Sequence, residues 1–259
     1  MTTFTYGVTD LSTLGNITVI DDYLDLPQKR GNNITVPNRH GTTFVRKFYD
    51  ERTIALGIAV LGTSLSDLET KMNTIRGLFS EQTQQTLSIT YEDSTVKTAL
   101  VTVDKPLQVR RVQSLARIMV EFTMTEPFFR LSTVIADNTL AIDASPKAMT
   151  VTNTGTMEER DPTIVIHGAF TSITITNSTT GAILTYTGAI GTAETVTIGT
   201  LAGEYYATLT GGTDVIGNVT HSSSSALMTF AAGANTLAIT SAGRDGNSTV
   251  KVSFYPPFL

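Results

Sequence analysis

Arg52-Thr53-Ile54-Ala55-Leu56-Gly57-Ile58-Ala59-Val60-Leu61, with the Ser64–Phe79 stretch behind it, decides the fold of this chain. Ile54, Leu56, Ile58 and Val60 alternate with Thr53, Ala55, Gly57 and Ala59. That is the two-residue period of a strand with one buried face. A different period then takes over. Leu65, Leu68, Met72, Ile75 and Phe79 recur at helical spacing, and Asp67 and Lys71 stand four apart, where they can pair. Ser66-Asp67-Leu68-Glu69 fits a capping box with acidic residues in the first turn. The spacing predicts a helix over Leu65–Phe79, ended before the polar Gln82-Thr83-Gln84-Gln85 stretch, with its apolar stripe covering a sheet.

Outward from this pair the strand signal continues. Leu87, Ile89 and Tyr91 alternate, as do Ala99, Val101 and Val103. Ala116, Ile118, Val120, Phe122 and Met124 form another row, with Arg117, Glu121 and Thr123 on its other face. The first part therefore reads as strands with one covering helix.

The second part reads as all-β. Short, β-branched runs occur at Thr163–His167, Ser172–Thr176, Ala182–Tyr186, Glu194–Ile198, Tyr205–Thr210, Ala226–Phe230, Thr236–Thr240 and Thr249–Phe254. Glycines fall between them. About eight short strands at regular spacing predict a β-sandwich. Threonine on the outer faces keeps such sheets hydrated without charge.

Charge divides the chain in the same place. Residues 1–150 hold 15 basic and 16 acidic side chains, against 3 and 7 in residues 151–259. This break predicts two domains, 1–135 and 136–259, with a linker within 133–162, where Pro146, Gly155 and Pro162 punctuate. At 259 residues with 41% hydrophobic and 16% charged side chains, the chain can bury a real core and is too apolar for disorder. No apolar run is long enough to span a membrane, and Met1–Tyr6 carries no signal-peptide pattern. Five Asn-x-Ser/Thr triplets, starting at Asn16, Asn33, Asn177, Asn218 and Asn247, read as chance among 47 threonines. The net charge of −5 argues against tight binding to nucleic-acid phosphates.

Catalytic chemistry has little to stand on. Cysteine is absent, which excludes a disulfide framework, a thiolate metal site and a cysteine nucleophile. There is no P-loop, nucleophile elbow, HExxH or GxGxxG pattern. His40, His167 and His221 stand far apart, without metal spacing, and His167 reads as a half-buried structural residue. His221, Ser222–Ser225 and Asp214 supply the residue types of a triad, but in a serine-rich loop without a strained turn. Asp21-Asp22-Asp25, Glu92-Asp93 and Glu158-Glu159-Asp161 lack the spacing of a calcium loop and read as solvated turns. Tyr205-Tyr206 and Phe254-Tyr255 could stack on a sugar, but a closing strand calls for the same residues. No catalytic, cofactor or metal residue is assigned; a surface adhesin or carbohydrate-binding module using the C-terminal sandwich is the alternative to a building role.

The order of these features resembles the siphophage distal tail protein family. Ile34-Thr35-Val36-Pro37 before His40-Gly41 is similar to its early strand and glycine turn. Phe48-Tyr49-Asp50-Glu51-Arg52-Thr53-Ile54 resembles its next segment, and one helix followed by a hairpin fits the same layout. Val120-Glu121-Phe122-Thr123-Met124-Thr125-Glu126-Pro127-Phe128-Phe129 resembles its end-of-domain signature. Asn153-Thr154-Gly155-Thr156 with Asp161-Pro162-Thr163-Ile164-Val165-Ile166-His167-Gly168 is similar to the lead-in of its C-terminal domain. Phe230-Ala231-Ala232-Gly233-Ala234-Asn235-Thr236-Leu237 resembles its late turn, where Gly233 and Asn235 would tolerate a left-handed conformation.

The resemblance implies a mainly β protein: an N-terminal split β-barrel with one helix, and a C-terminal galectin-like β-sandwich. It implies a structural, non-enzymatic virion protein at the tail tip, assembled in the host cytoplasm. This protein would form a homo-hexameric ring, joining the tail tube protein to tail-tip and tail-associated proteins. DNA would pass through its lumen without specific binding; the second domain has no long insertion, so host-sugar binding is not implied. Arg52–Leu61 and Leu115–Met124 are the expected elements near the ring contact.

Overall fold

The structure, a computed structural model, describes residues 2–20, 23–35, 40, 42–45, 47–135, 138–201, 203–222 and 227–259. Val36, Pro37 and Gly41 of the resemblance, and Asp21, Asp22 and Ser223–Ser225, lie outside the described residues. The fold is mainly β, as the alternating patterns predict. The chain divides into two compact units, Met1–Phe129 with Leu259, and Arg130–Phe258.

In the first unit one antiparallel sheet runs in the order Gln108–Val112, Leu115–Met124, Arg52–Leu61, Asn16–Val19. Its spine is the ten-residue pairing of the two central strands, which sets Ile58 opposite Ile118 and Ile54 opposite Phe122. Side chains alternate across a strand, so this register collects Ile54, Leu56, Ile58 and Val60 with Phe122, Val120, Ile118 and Ala116 on one buried face. Thr9–Asp10, Thr3–Tyr6, Gln85–Thr90 and Val96–Val101 lie side by side in a second antiparallel sheet. Reciprocal 2.9 Å backbone bonds between Thr102 and Thr123 link the two sheets.

The helix spans Leu65–Leu78, with Phe79 as its C-cap. Leu68, Met72, Ile75 and Phe79 are buried, as the stripe predicts. The cap differs from the expected one. Ser64, not Ser66, is the N-cap, and its hydroxyl accepts from the Asp67 backbone N–H at 3.1 Å. Ser66 already lies in the first turn, where its carbonyl accepts from the Thr70 hydroxyl. The Asp67 carboxylate accepts from the Thr63 backbone N–H at 2.8 Å and sits 3.0 Å from Lys71. The Thr63 N–H first, and then Lys71, hold Asp67 below the usual carboxylate range. The chain reverses at Gly62, where a Cβ would lie 2.7 Å from the Leu68 backbone nitrogen and the Ser64 carbonyl oxygen.

Leu68 is completely enclosed. Leu68→Ala is expected to cost about 2–5 kcal/mol through the cavity it leaves. Chemical denaturation would check this; an unchanged midpoint would mean that the stripe does not carry the packing assigned to it.

The second unit is a sandwich. One sheet orders Asn138–Ala141, Thr249–Ser253, Thr163–His167, Thr195–Leu201, Glu204–Leu209 and Thr213–Asp214. The facing sheet orders Lys147–Asn153, Gly233–Ala242, Phe170–Asn177, Ile183–Ile190 and Val219–His221. Ile164, Ile166, Val196, Ile198, Val250 and Val252 from the first sheet join Ile173, Ile175, Leu184, Tyr186, Leu237 and Ile239 from the second in one core. The outward faces carry hydroxyls: Thr240, Thr174, Thr185 and Thr220 stand opposite one another across four neighbouring strands.

Two local expectations change. Ala226 lies outside the described residues, and Leu227–Thr229 is not a strand. The segment instead buries Leu227, Met228 and Phe230 in the core. Side-chain amides take its carbonyls beside a single backbone bridge at Phe230: Asn177 Nδ2 donates to Thr229 O at 2.7 Å and Asn153 Nδ2 to Phe230 O at 3.1 Å. At the late turn Gly233 takes φ +91°, but Asn235 is not left-handed. Asn235 is buried, and its amide donates to Ala231 O at 2.8 Å and accepts from Ala231 N at 2.9 Å.

Candidate assembly surfaces

The residues with catalytic potential are occupied elsewhere or stand apart. His40 is exposed in the first unit. His167 is half-buried, with Nδ1 3.0 Å from the Thr195 hydroxyl. His221 lies on an exposed strand edge, its ring edge-on to Tyr205 at 5.6 Å. Asp214 accepts from the Ile216 backbone N–H at 2.9 Å, and the Ser222 hydroxyl accepts from Ile183 N–H at 2.9 Å. Both groups hold turns and strand ends. Among the described residues no group of three His, Asp or Glu side chains could hold a metal ion.

The aromatic pairs divide between core and surface. Phe254 packs on Phe230 at 5.2 Å in the core. Tyr206 lies against Gly199, where a Cβ would come within 2.9 Å of its hydroxyl. Tyr205 and Tyr255 remain partly exposed.

One acidic cluster is not a solvated turn. Glu159 has no exposed surface. Its carboxylate pairs with Arg130 and accepts from the Arg160 and Asp161 backbone N–H groups at 2.9 and 2.6 Å. Burial pushes its pKa up, opposed by the Arg130 charge. Its backbone bridges Phe230 with two 2.9 Å bonds, so it anchors the segment that plugs the core. Nothing in the spacing of Glu158-Glu159-Asp161 marks the middle carboxylate. The only available signal was a lone Arg130, 29 residues earlier, in a region otherwise short of bases.

The exposed surface is unequal. Of the 18 large hydrophobic residues exposed among the described ones, 13 lie in the first unit, although each unit spans about half the chain. Five of the 13 belong to the stretch from Leu24 to Phe48, which folds back on itself as a ribbon: Lys29–Arg30 pairs with Phe48–Tyr49 and Ile34–Thr35 with Thr42–Thr43. Phe44 there is 74% exposed. A two-stranded ribbon with apolar side chains in water is marginal on its own.

Arg52–Leu61 and Leu115–Met124, the expected contact elements, are the two central strands of their sheet. The edges belong to Gln108–Val112, exposed along its whole length, and to Asn16–Val19. What the central strands offer is their outward face. Gly57 and Ala59 leave its middle low, between Thr18 and Ile20 on one side and Arg117 and Met119 on the other. Together with Gln108 and Arg110 they enclose a groove of about 500 Å³. Free edges and an open face of this kind are surfaces on which another chain can add.

Residues 8–124 match the family model described as phage tail protein RIFT-related domain. No curated protein matches the chain in sequence. Among solved structures, the crystal structure of the Dit protein (gp 19.1) of phage SPP1 superposes with a TM-score of 0.74 at 16% identity, over 100% of both chains. It is described as a paradigm of the hub adsorption apparatus in phages that infect Gram-positive bacteria. A chain of the phage P2 baseplate in its activated, calcium-bound conformation aligns over 98% of each chain at 9% identity, with a TM-score of 0.49. The resemblance to siphophage distal tail proteins drawn from the order of sequence features is borne out by the family match and the full-length fold.

Proposed function

We propose that this chain, which carries a phage tail protein domain in its first unit and folds throughout like a siphophage distal tail protein, closes into a ring at the distal end of a non-contractile tail. The ring joins tail tube to tip and leaves a lumen for DNA. In this reading residues 1–135 make the ring and residues 136–259 form an outer sandwich. The role is structural, with the tail tube and tip proteins as neighbours. The observation that carries the proposal is the concentration of exposed apolar side chains in the first unit, beside its own free sheet edges. One head-to-tail contact repeated about an axis closes on itself and covers such edges.

The DNA path is passive in this reading. An assembly whose chains each carry −5 repels phosphates rather than gripping them. Native mass spectrometry is expected to find six copies of the 27.8 kDa chain, about 167 kDa, and electron microscopy a ring with a central hole. A strict monomer at high concentration, with no ring even beside tail partners, overturns the reading.

A further inference from the structure

The groove on the outward sheet face carries an unusual pair. Arg110 and Arg117 stand directly opposite one another in the antiparallel register. Like charges in that position repel. Three neighbouring cations have carboxylates: Arg111 has Glu69, Lys105 has Glu121, and Lys71 has Asp67. Arg110 and Arg117 are exposed and have no hydrogen-bond or ion-pair partner among the described residues. They border the low floor of Gly57 and Ala59 in the 500 Å³ groove.

A complementary patch lies at the other end of the same strand. Asp50 and Glu51 immediately precede Arg52–Leu61 and are exposed. Asp50 accepts from the Glu51 backbone N–H at 3.1 Å, and neither carboxylate has a cationic partner among the described residues. With Asp25 they border a depression of about 440 Å³. Arg117 stands opposite Ala59, eight residues along the strand from Glu51. At strand rise that is roughly 26 Å. The two patches of one chain therefore cannot satisfy each other.

We infer that Arg110 and Arg117 receive the Asp50-Glu51 segment of a second copy of this chain, and that this is a contact repeated around the ring. The inference rests on the ring reading above. Two different patches that fit each other make a head-to-tail contact, the kind that generates rings. The guanidinium fork matches a carboxylate with two parallel hydrogen bonds, and the apolar floor removes competing water once the segment is seated.

The test is charge exchange in the full-length protein. Arg110→Glu with Arg117→Glu, or Asp50→Arg with Glu51→Arg, is expected to weaken ring formation on the order of tenfold or more in sedimentation velocity. The fourfold variant carrying all four changes restores complementarity and is expected to recover the ring. Arg110→Gln with Arg117→Gln removes the repulsion within the chain, so it should weaken the ring while leaving the unfolding midpoint at or above wild type. Rings of wild-type strength in the two-residue variants, or folded fourfold variants without recovery, overturn the contact while the ring reading stands. An Arg110→Glu, Arg117→Glu ring that is intact but has lost binding to duplex DNA would assign the pair to phosphates instead and overturn the contact. A monomeric wild type overturns both readings together.

Discussion

Truncating Phe122 to alanine is expected to lower the stability of the first unit by about 3–5 kcal/mol, the largest single-residue effect in that half of the chain. Phe122 closes a triangle of rings with Tyr6 at 5.5 Å and Phe79 at 5.9 Å, and Tyr6 and Phe79 are themselves 5.2 Å apart. The three residues come from a strand of each sheet and from the C-cap of the helix, so one truncation loosens all three elements. The Tyr6 hydroxyl is buried there without a hydrogen-bond partner among the described residues. Loss of solvent, and then the charge of Glu81, push its pKa up and keep it neutral. A cavity beside it would open room for water at this buried hydroxyl. Guanidinium denaturation followed by near-ultraviolet circular dichroism would report the change. A midpoint close to wild type would show that the triangle is not the keystone of this core.

In the second unit the largest effect is expected at Glu159. Glu159→Ala removes the acceptor for two backbone N–H groups and the partner of Arg130, at a cost of about 3 kcal/mol or more. Arg130 keeps the Tyr255 carbonyl at 3.1 Å, so the loss falls mainly on the 158–161 turn and the segment it anchors. Glu159→Gln retains an acceptor without the buried charge and should cost less. The two variants also differ from wild type in their response to pH. Burial makes the carboxyl hold its proton more tightly in the folded chain than in the unfolded one. That contribution to stability is complete below the unfolded carboxyl pKa and is lost as pH rises through the higher folded value. Wild type should therefore lose ground against Glu159→Gln as pH is raised from about 4 toward 7. Thermal unfolding across that range checks the sign; a gap that widens in favour of wild type would mean the Arg130 pair outweighs desolvation.

The sequence made some of this legible and concealed the rest for physical reasons. Arg52–Leu61 and the helix were readable because one buried face imposes a single period on many residues. The sequence gives little sign of the Asn138–Ala141 and Lys147–Asn153 strands: in Lys147–Asn153 only Met149 and Val151 supply apolar pattern, and the third buried position, Asn153, is held by hydrogen bonds rather than by hydrophobicity. Leu227–Phe230 misled in the opposite sense. It is apolar because it fills the core, and its backbone is satisfied by the amides of Asn153 and Asn177 and by the Glu159 backbone, all 50 or more residues away in sequence. The helix cap moved by two residues because Ser64 and Ser66 offer the same hydroxyl, and only the backbone decides which faces a free N–H. The opposition of Arg110 and Arg117 depends on the register of a hairpin that turns through Gln113 at φ +52°. Asp50 and Glu51 stand in the sequence only as part of a resemblance, and their distance from the arginines emerges only from the strand between them.

The place of Thr249–Ser253 in the sandwich bears on the order in which the molecule is made. That strand lies in its sheet between Asn138–Ala141 and Thr163–His167, pairing with both. Until residue 253 has left the ribosome, the first of these has no neighbour at all and the second lacks one of its two. The strands described for the first unit, by contrast, are all complete by residue 124. Translation therefore delivers these first-unit strands while the sandwich is still half a sheet, and its long-range pairings make the later unit the slower one to mature. For most of synthesis the nascent chain presents its ribbon and sheet edges with the second unit still unfinished. In a cell making many copies at once, neighbouring chains could begin to meet through the first unit before their own translation ends.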